Sequence, residues 1–525
     1  MNTFTKSNKK IYFLIFIALF SILFKLDYRY INELSCCGDD FDYYSHALTI
    51  AVDNDFDYSN QLNPSKSTFY VDGKVAPLGF YGSGLLAAPF ILVGSLFDSI
   101  FVDSYIPYKV ITYSLSSLIY LFFTAYLIFK SLLLLNLKPN FTFIILSLTG
   151  SGLGFYAFER YSMTHVYEAF SVALIFYSVV KISLNKEKRI FYFLLAFSLF
   201  IALSVRYTNY HLLIAPLIFR KLFFVNSKNY LHRSGTFISS SLFFSVIFYL
   251  VNVKIYGQFI LNPAEIYYAD SYRVTAYLQE VNSLFNFIKI NFFIFLKILF
   301  SQEFGIFWFN PAVFSGLIIS LIYFKQSNID IFTKLLIAFS FIYNFGIVAV
   351  WSSTASSYGI RYLFSLIPFS LIILYKLKNI YIIGLLKKYI YIFSTFGLIS
   401  ILFFESTTLT ELSLVPVINT FGKQDLYSNP EYLKGLIFSV IEFSAYLKII
   451  ATSLLFLIFY KLFNNFFSLT KFINDTNFNV SYEQKDKFLE LLEVYSNIEY
   501  LQISLILITG IVLAFFSTNL LPDKS

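Results

Sequence analysis

The sequence contains few cysteines and few charged residues. Only two of its 525 residues are cysteine, the adjacent pair Cys36 and Cys37. A disulfide between neighbours closes only a strained ring, so we interpret them as free thiols. No Cys/His spacing typical of a metal site is present. Charged residues make up only 13% of the chain and hydrophobic residues 57%, and the mean hydropathy is +0.67, which excludes an ordinary soluble globular domain.

The sequence also lacks Pro-rich or Gly/Ser-rich linkers and internal repeats. We therefore predict a single polytopic membrane domain over residues 1–525, with an all-α integral membrane fold of about thirteen transmembrane helices. The predicted crossings are residues 11–26, 108–134, 139–157, 164–184, 190–206, 208–225, 234–254, 306–324, 331–350, 360–376, 389–404, 445–464 and 501–519. The absence of repeated halves weighs against a secondary transporter.

Basic residues indicate which side of the membrane each connection faces. The N-terminus and every second connection carry lysine or arginine, which is typical of cytoplasmic segments. Three long connections, about 27–107, 255–305 and 405–444, are then expected to face outward, and about 465–500 is expected to be cytoplasmic. We predict a multi-pass plasma (inner) membrane protein with a cytoplasmic N-terminus. The net charge of +8 is interpreted as an inside charge, not as a nucleic-acid-binding surface.

Acidic residues gather near the start of the first outward connection, where residues 38–47 read GDDFDYYSHA. Desolvated carboxylates are costly in apolar membrane sequence, so acids beside a membrane indicate a functional site. The spacing over 39–53 predicts a short amphipathic helix on the membrane surface. Its apolar stripe would contain Phe41, Tyr44, Leu48 and Val52, and its polar stripe Asp39, Asp42, His46, Thr49 and Asp53. An ordinary helix start, with Asp39 as N-cap and Asp42 in the first turn, also explains these acids.

Two other segments are expected to lie on the membrane surface. The apolar segment Gly82–Phe101 is interrupted by Pro89, Gly94 and Asp98, and the charge pattern requires both of its ends to stay outside. We predict an interfacial or re-entrant helix there. Within the cytoplasmic connection, residues 483–492 are predicted to form an amphipathic surface helix.

Several short motifs follow the acidic segment in order, each at the outward end of a predicted crossing. They are VAPLGFYGSGLLAAPF at 75–90, FYAFERYSMTH at 155–165, RYTN at 206–209, YG at 256–257, EFGIFWFNP at 303–311 and WSSTASSYGIRY at 351–362. In this order the motifs resemble those of the GT-C superfamily of membrane glycosyltransferases, which includes protein O-mannosyltransferases and aminoarabinose transferases of lipid A. Thr164 and Ile360 stand where other residues are usual in that family.

The resemblance implies a reaction. A sugar carried on polyprenyl phosphate is attacked at its anomeric carbon by an acceptor hydroxyl or amine, and the lipid phosphate departs. Asp39 aligns with the first acid of the family pair, which implies that it is the general base, with Asp40 second. Two adjacent carboxylates repel, which raises one pKa or recruits a divalent cation. No other cofactor is expected.

The leaving phosphate requires positive charge near the interface. Arg361, Arg206 and Arg160 are expected at outward positions, and the Gly-x-Arg-Tyr context of Arg361 matches the family best. The alternative for each is a structural, snorkelling arginine.

Glu159 and His165 lie where the family places a second acid and polar partners for the donor or a metal. The alternatives are a simple ion pair between Glu159 and Arg160, and a buried histidine whose hydrogen bonds are satisfied by the core. Glu168 is ranked below both.

The expected partners are a polyprenyl-phosphate-linked sugar, a cell-envelope glycan, lipid or protein acceptor, and membrane lipids. One alternative is a glycan polymerase or ligase that uses a diphosphate-linked donor and depends more on outer-loop arginines. Another is a lipid or solute transporter, in which charged or broken helices are expected near the bilayer centre. The ionisable residues gather instead at helix ends and in outer loops, which favours chemistry at the surface.

Overall fold

The computed structural model describes residues 38–62, 69–71, 74–102, 104, 106–158, 160–184, 188–214, 230–263, 283–300, 305–324, 331–351, 359–376, 380–403 and 500–519. The predicted crossings at 11–26 and 445–464, the outward connection 405–444, the surface helix at 483–492 and the cysteine pair lie outside these residues.

Helices make up most of the described chain. In order, they are α1 Gly38–Leu48, α2 Tyr81–Ile100, α3 Tyr108–Leu134, α4 Phe141–Thr149, α5 Gly152–Phe158, α6 His165–Leu184, α7 Arg189–Val205, α8 Tyr230–Tyr256, α9 Leu284–Phe300, α10 Ile306–Phe309, α11 Pro311–Phe324, α12 Ile331–Trp351, α13 Leu366–Lys376, α14 Ile380–Phe403 and α15 Tyr500–Asn519. A π-helical turn over Thr49–Asp53 extends α1, and 3-10 turns span Tyr207–Ile214 and Arg361–Leu363. A two-stranded antiparallel sheet pairs β1 Phe69–Val71 with β2 Lys74–Ala76, with Tyr70 opposite Val75.

The lengths and composition of the helices are those of an all-α membrane protein. Four described helices, α2, α3, α6 and residues 234–256 of α8, are long and apolar enough to cross a membrane. The pair α4 and α5 would be a fifth if it counts as one span, although it bends by 77°. The thirteen predicted crossings are not confirmed. Several of them correspond in the described residues to shorter apolar helices, such as α7 and α13.

Side-chain contacts show which helix ends lie together. The Tyr113 hydroxyl, in the first turns of α3, donates to the Ser162 carbonyl just before α6 at 3.3 Å. Arg206, just after α7, lies 2.7 Å from His165 Nδ1 at the start of α6. Ser162 also donates to Asp40 of α1. The first turns of α3 and α6, the end of α7 and helix α1 therefore lie at one end of the bundle, which we call the α1 end.

Helix α2 has both of its ends at the α1 end. Near its start, the Tyr81 hydroxyl accepts from Ser204 in the last turn of α7 at 3.2 Å. Near its end, Asp98 accepts from the backbone N–H groups of Tyr108 and Lys109, which begin α3, at 2.5 and 3.2 Å. A straight 20-residue helix is about 30 Å long. Between these ends α2 packs along α3, where the Tyr120 hydroxyl donates to the Leu86 carbonyl at 3.0 Å. The length and composition of α2 also suit a membrane crossing, so the interfacial or re-entrant segment stays a prediction.

Burial along α1 does not follow its two predicted stripes. The polar-stripe residues Asp42, His46 and Thr49 are buried, whereas Val52 of the apolar stripe is 46% exposed. Asp39 of the polar stripe is exposed and Tyr44 of the apolar stripe is buried, so each stripe contacts the bundle in part. Periodicity locates a helix and its two faces, but it does not show which face contacts protein when polar partners are available there.

Helix α9 was not predicted and lies within the segment interpreted as an outward connection, 255–305. Its sequence, LFNFIKINFFIFLKILF, contains two lysines, which obscured its apolar character. Most of its side chains are exposed, and only Ile298 and Leu299 are buried. In a membrane protein such a surface faces lipid or the membrane interface.

The break between α4 and α5 brings Gly150 against α14. A Cβ atom on Gly150 would meet the backbone of Ser394, which cannot move as a flexible side chain can. We predict that Gly150→Ala destabilises the protein by about 1–3 kcal/mol, the typical effect of overpacking. Gly235→Ala is the matched control, because Gly235 lies in α8 with open space around it and alanine favours helix by roughly 0.5–1 kcal/mol. Thermal unfolding of both variants in detergent tests this, and equal midpoints would contradict it.

Candidate functional site

The carboxylates of α1 lie in three different environments. Asp39 and Asp40 are in the first turn of the helix, so Asp39 is not an N-cap before it. The side chain of Asp39 is 56% exposed, whereas Asp40 and Asp42 are buried. Only Asp39 can meet a molecule that arrives from outside without rearrangement.

Asp40 is held by two side chains from the segment that precedes α6. Its Oδ2 lies 2.5 Å from Nη2 of Arg160, and its Oδ1 accepts a hydrogen bond from Ser162. Its side chain is 0% exposed. The geometry assigns Asp40 a structural contact that ties α1 to the bundle. It also engages the guanidinium of Arg160, which had been predicted to bind phosphate.

Asp39 faces a different arginine. Its Oδ2 lies 3.6 Å from Nη1 of Arg361, whose side chain is 15% exposed. The guanidinium of Arg361 also lies over the ring of Tyr362, 5.4 Å from its centroid. The structure thus brings together the predicted base and the predicted phosphate-binding residue, which are 322 positions apart in the chain.

Arg206 belongs to a buried polar network at the start of α6. Its Nη1 lies 2.7 Å from His165 Nδ1 and 3.6 Å from Glu168 Oε2. Thr208 donates a hydrogen bond to Glu168. A guanidinium can only donate, so Nδ1 accepts and the neutral imidazole of His165 carries its proton on Nε2. His165 is therefore a buried histidine with a partner, the alternative that the sequence left open.

Arg206 and Arg361 converge on one aromatic ring. The Arg206 guanidinium lies 4.6 Å from the centroid of Tyr362, over the same ring that Arg361 contacts. Tyr43 of α1 feels both charges: burial and then Asp39 raise its pKa, and Arg206 and Arg361 partly offset that rise. Two cations around one phenol ring form a positive region beside Asp39.

His46 fixes α1 to the loop before α2. Its Nε2 lies 2.9 Å from the Gly79 carbonyl, and its Nδ1 lies 2.7 Å from the Tyr58 hydroxyl. A carbonyl only accepts, so Nε2–H donates to Gly79 and Nδ1 accepts from Tyr58. Burial lowers the pKa of His46 to about 4, which keeps the ring neutral at physiological pH. The Tyr256 hydroxyl donates to the same carbonyl at 3.0 Å.

Asp42 lies one helical turn after Asp39. Burial, and then the charge of Asp39, raise the pKa of Asp42 from its ordinary value of 3.8 to about 7, although a hydrogen bond from the Leu78 N–H opposes the shift. The folded protein therefore binds this proton more readily than the unfolded chain does. Its contribution to stability is present below about pH 4 and is lost as the pH rises towards 7.

We predict that Asp42→Asn stabilises the protein at pH 8 and changes it little near pH 4. An amide resembles the protonated carboxyl and can still accept from Leu78. The gain above pH 7 is about 4 kcal/mol at most. Unfolding midpoints of wild type and variant at both pH values test this. Subtracting the two curves cancels the opposite contribution of His46, and a difference that does not change with pH would contradict the prediction.

No metal site is apparent among the described residues, which contain no group of three or more His, Cys, Asp or Glu side chains placed to hold an ion. Asp39 and Asp40 face different arginines and do not form a joint carboxylate site. Glu159, predicted to support the donor or a metal, lies outside the described residues.

Sequence reasoning underestimated Glu168 and did not select Tyr362. Glu168 is the buried counter-ion of Arg206, and its position three residues after His165 places both side chains on one face of α6. Tyr362 directly follows Arg361, so its role depends on the fold that brings Arg206 to the same ring. The spacing could have indicated Glu168, but no local signal indicates Tyr362.

No family model, curated protein or solved structure matches this chain.

Proposed function

We propose that this protein is a GT-C-like membrane glycosyltransferase. It moves a sugar from a polyprenyl-phosphate donor to a cell-envelope glycan, lipid or protein acceptor at the outer face of the plasma membrane. The observation that carries the proposal is the exposed Asp39 carboxylate beside a cluster of three arginines, at one end of an apolar helical bundle. Such a site suits a membrane-bound anionic donor and a proton-donating acceptor.

In this proposal Asp39 is the general base. The acceptor oxygen or nitrogen forms a bond to the anomeric carbon, and its proton passes to Asp39. The bond between that carbon and the phosphate oxygen breaks, and its electron pair leaves with the lipid phosphate. The phosphate gains one negative charge in this step, which a nearby guanidinium stabilises.

Arg361 is the residue we assign to the phosphate. The charges of Arg160 and Arg206 are already balanced by Asp40 and Glu168, both fully buried. Among the ion pairs of the described residues, Arg361 takes part in one, with the exposed Asp39. Arg160 and Arg206 are then positioning residues that also contribute to the positive potential of the site.

The proposed orientation is argued from lysine and arginine positions. Lys181 in the last turn of α6, Lys188 and Arg189 at the start of α7, and Lys376 in the last turn of α13 all lie at the end of the bundle opposite α1. Positive residues favour the cytoplasmic side. The three arginines at the α1 end each lie beside an acid, so we propose that the α1 end faces outside, with α1 and α2 as outer-surface helices of the first outer loop.

A transporter is the second candidate, because the bent pair α4 and α5 is the kind of broken helix from which carriers build binding sites. Against it, the charged cluster lies at the end of the bundle and not at its middle. A polymerase or ligase that uses a diphosphate-linked donor is the enzyme alternative, and the three arginines would also suit that substrate.

The test uses purified full-length protein in lipid nanodiscs with a polyprenyl-phosphate sugar labelled in both sugar and lipid. Released polyprenyl phosphate together with label on the acceptor supports the proposed reaction. Cleavage only of a diphosphate-linked donor favours the polymerase or ligase. In sealed vesicles, movement of intact donor without cleavage favours the carrier.

A further inference from the structure

We propose that Asp39 and Arg361 form an exchangeable ion pair, in which the donor phosphate takes the place of the Asp39 carboxylate on Arg361. The exchange frees the base only when the donor is bound. This inference rests on the proposed function, because it assigns a regulatory step to the same site. It adds an order of events: donor first, then deprotonation of the acceptor.

The three ion pairs of the cluster differ in how much of the acidic side chain is exposed to water. The Asp40 carboxylate is 0% exposed and lies 2.5 Å from Arg160, and the Glu168 carboxylate is 0% exposed beside Arg206. Removing either acid from its arginine would leave a buried charge without its partner, which is strongly unfavourable. The Asp39 carboxylate is 56% exposed, so it can leave Arg361 and be solvated. Only this pair can exchange at low cost.

The geometry of Arg361 leaves capacity for an incoming anion. Its contact with Asp39 is 3.6 Å, longer than a direct hydrogen bond. Its Nε is buried and has no hydrogen-bond partner within the described residues. The guanidinium is steadied by the Tyr362 ring at 5.4 Å. Phosphate oxygens can meet both Nη groups in the bidentate arrangement that arginine favours, which a carboxylate 3.6 Å from one Nη does not do.

The exchange has a consequence for catalysis. In the ion pair the Oδ2 oxygen of Asp39 faces the guanidinium of Arg361, and once the phosphate replaces it that oxygen can turn towards the acceptor proton. With donor absent, Asp39 occupies Arg361 and the acceptor is not activated. With donor present, the base is released next to the anomeric carbon whose phosphate displaced it.

The test is binding of decaprenyl phosphate to the full-length protein in nanodiscs, measured by calorimetry. Asp39→Asn removes the competing charge without changing side-chain size, and we expect it to tighten binding about 5-fold to 10-fold. Arg361→Gln should weaken binding at least 10-fold, and adding Asp39→Asn in that background should produce no tightening. Unfolding midpoints verify that each variant is folded. If Arg361→Gln fails to fold, Arg361→Lys takes its place. In that background we expect Asp39→Asn to tighten binding less than it does in the wild-type background.

Two results would overturn the exchange while leaving the donor site intact. The first is that Asp39→Asn binds decaprenyl phosphate no more tightly than wild type. The other is that Asp39→Asn tightens binding equally with Arg361 present and with Arg361 replaced. The second would mean that Asp39 repels the phosphate without competing for Arg361. A wild-type protein that does not bind decaprenyl phosphate would overturn both the exchange and the proposed function. The two failures are therefore distinguishable.

Discussion

Asp39→Asn is expected to abolish glycosyl transfer while leaving the protein folded. The asparagine amide cannot accept the acceptor proton, and loss of a general base typically lowers the rate 10²-fold to 10⁴-fold. The fold should not change, because the Asp39 side chain is 56% exposed and its one ion pair is a loose contact of 3.6 Å. Initial rates of transfer, measured at saturating donor and acceptor, test the prediction. The combination of tighter phosphate binding with lost turnover would be specific to a base that also competes for Arg361.

Asp55→Asn is the matched control. Asp55 is another exposed aspartate of the same connection, and its carboxylate accepts a local hydrogen bond from the Asp57 N–H at 3.1 Å. We expect near wild-type transfer from this variant. Full activity in Asp39→Asn, or an equal loss in both variants, would remove the assignment of Asp39 as base.

Asp40→Asn should lose much of its stability but keep its transfer activity, the reverse of what we expect for Asp39→Asn. The change leaves Arg160 without its buried counter-charge, and breaking one side of a buried ion pair typically costs 3–5 kcal/mol. The 2.5 Å contact and the additional hydrogen bond from Ser162 indicate that this pair is well formed. The unfolding midpoint should therefore fall by many degrees, and any residual folded protein should retain turnover.

A double variant separates the pair from other effects at Asp40. Asp40→Asn combined with Arg160→Gln removes both charges, so part of the lost stability should return. The unfolding midpoints of the two single variants, the double variant and wild type form the cycle. Additive losses would show that the two side chains are not coupled. A stable Asp40→Asn without turnover would instead make Asp40 the catalytic base.

The sequence alone predicted the helical class and the parts of the site that depend on local pattern. Apolar runs indicated α3, α6 and α8 with nearly correct bounds, because a membrane crossing demands a long uninterrupted run. The bend between α4 and α5 and the lysine-containing α9 were not predicted. Their apolar runs are divided or interrupted by charge, so hydropathy cannot locate their ends.

The sequence also identified the charged residues of the cluster, but it could not pair them. It placed Asp39 and Asp40 together as one acidic site, whereas the fold directs one towards Arg361 and the other towards Arg160. Pairing depends on contacts between residues more than 100 positions apart, and adjacent residues on a helix point in directions about 100° apart. Local spacing therefore predicts which residues are polar, but not which partner each one meets.

The most direct test of the account is release of polyprenyl phosphate from a polyprenyl-phosphate sugar by the purified protein, followed by mass spectrometry for wild type and Asp39→Asn side by side. We predict that wild type releases the lipid phosphate in proportion to glycosylated acceptor, and that the variant binds the donor but releases none above background. Release at the same rate by both proteins, or by neither, would contradict the account.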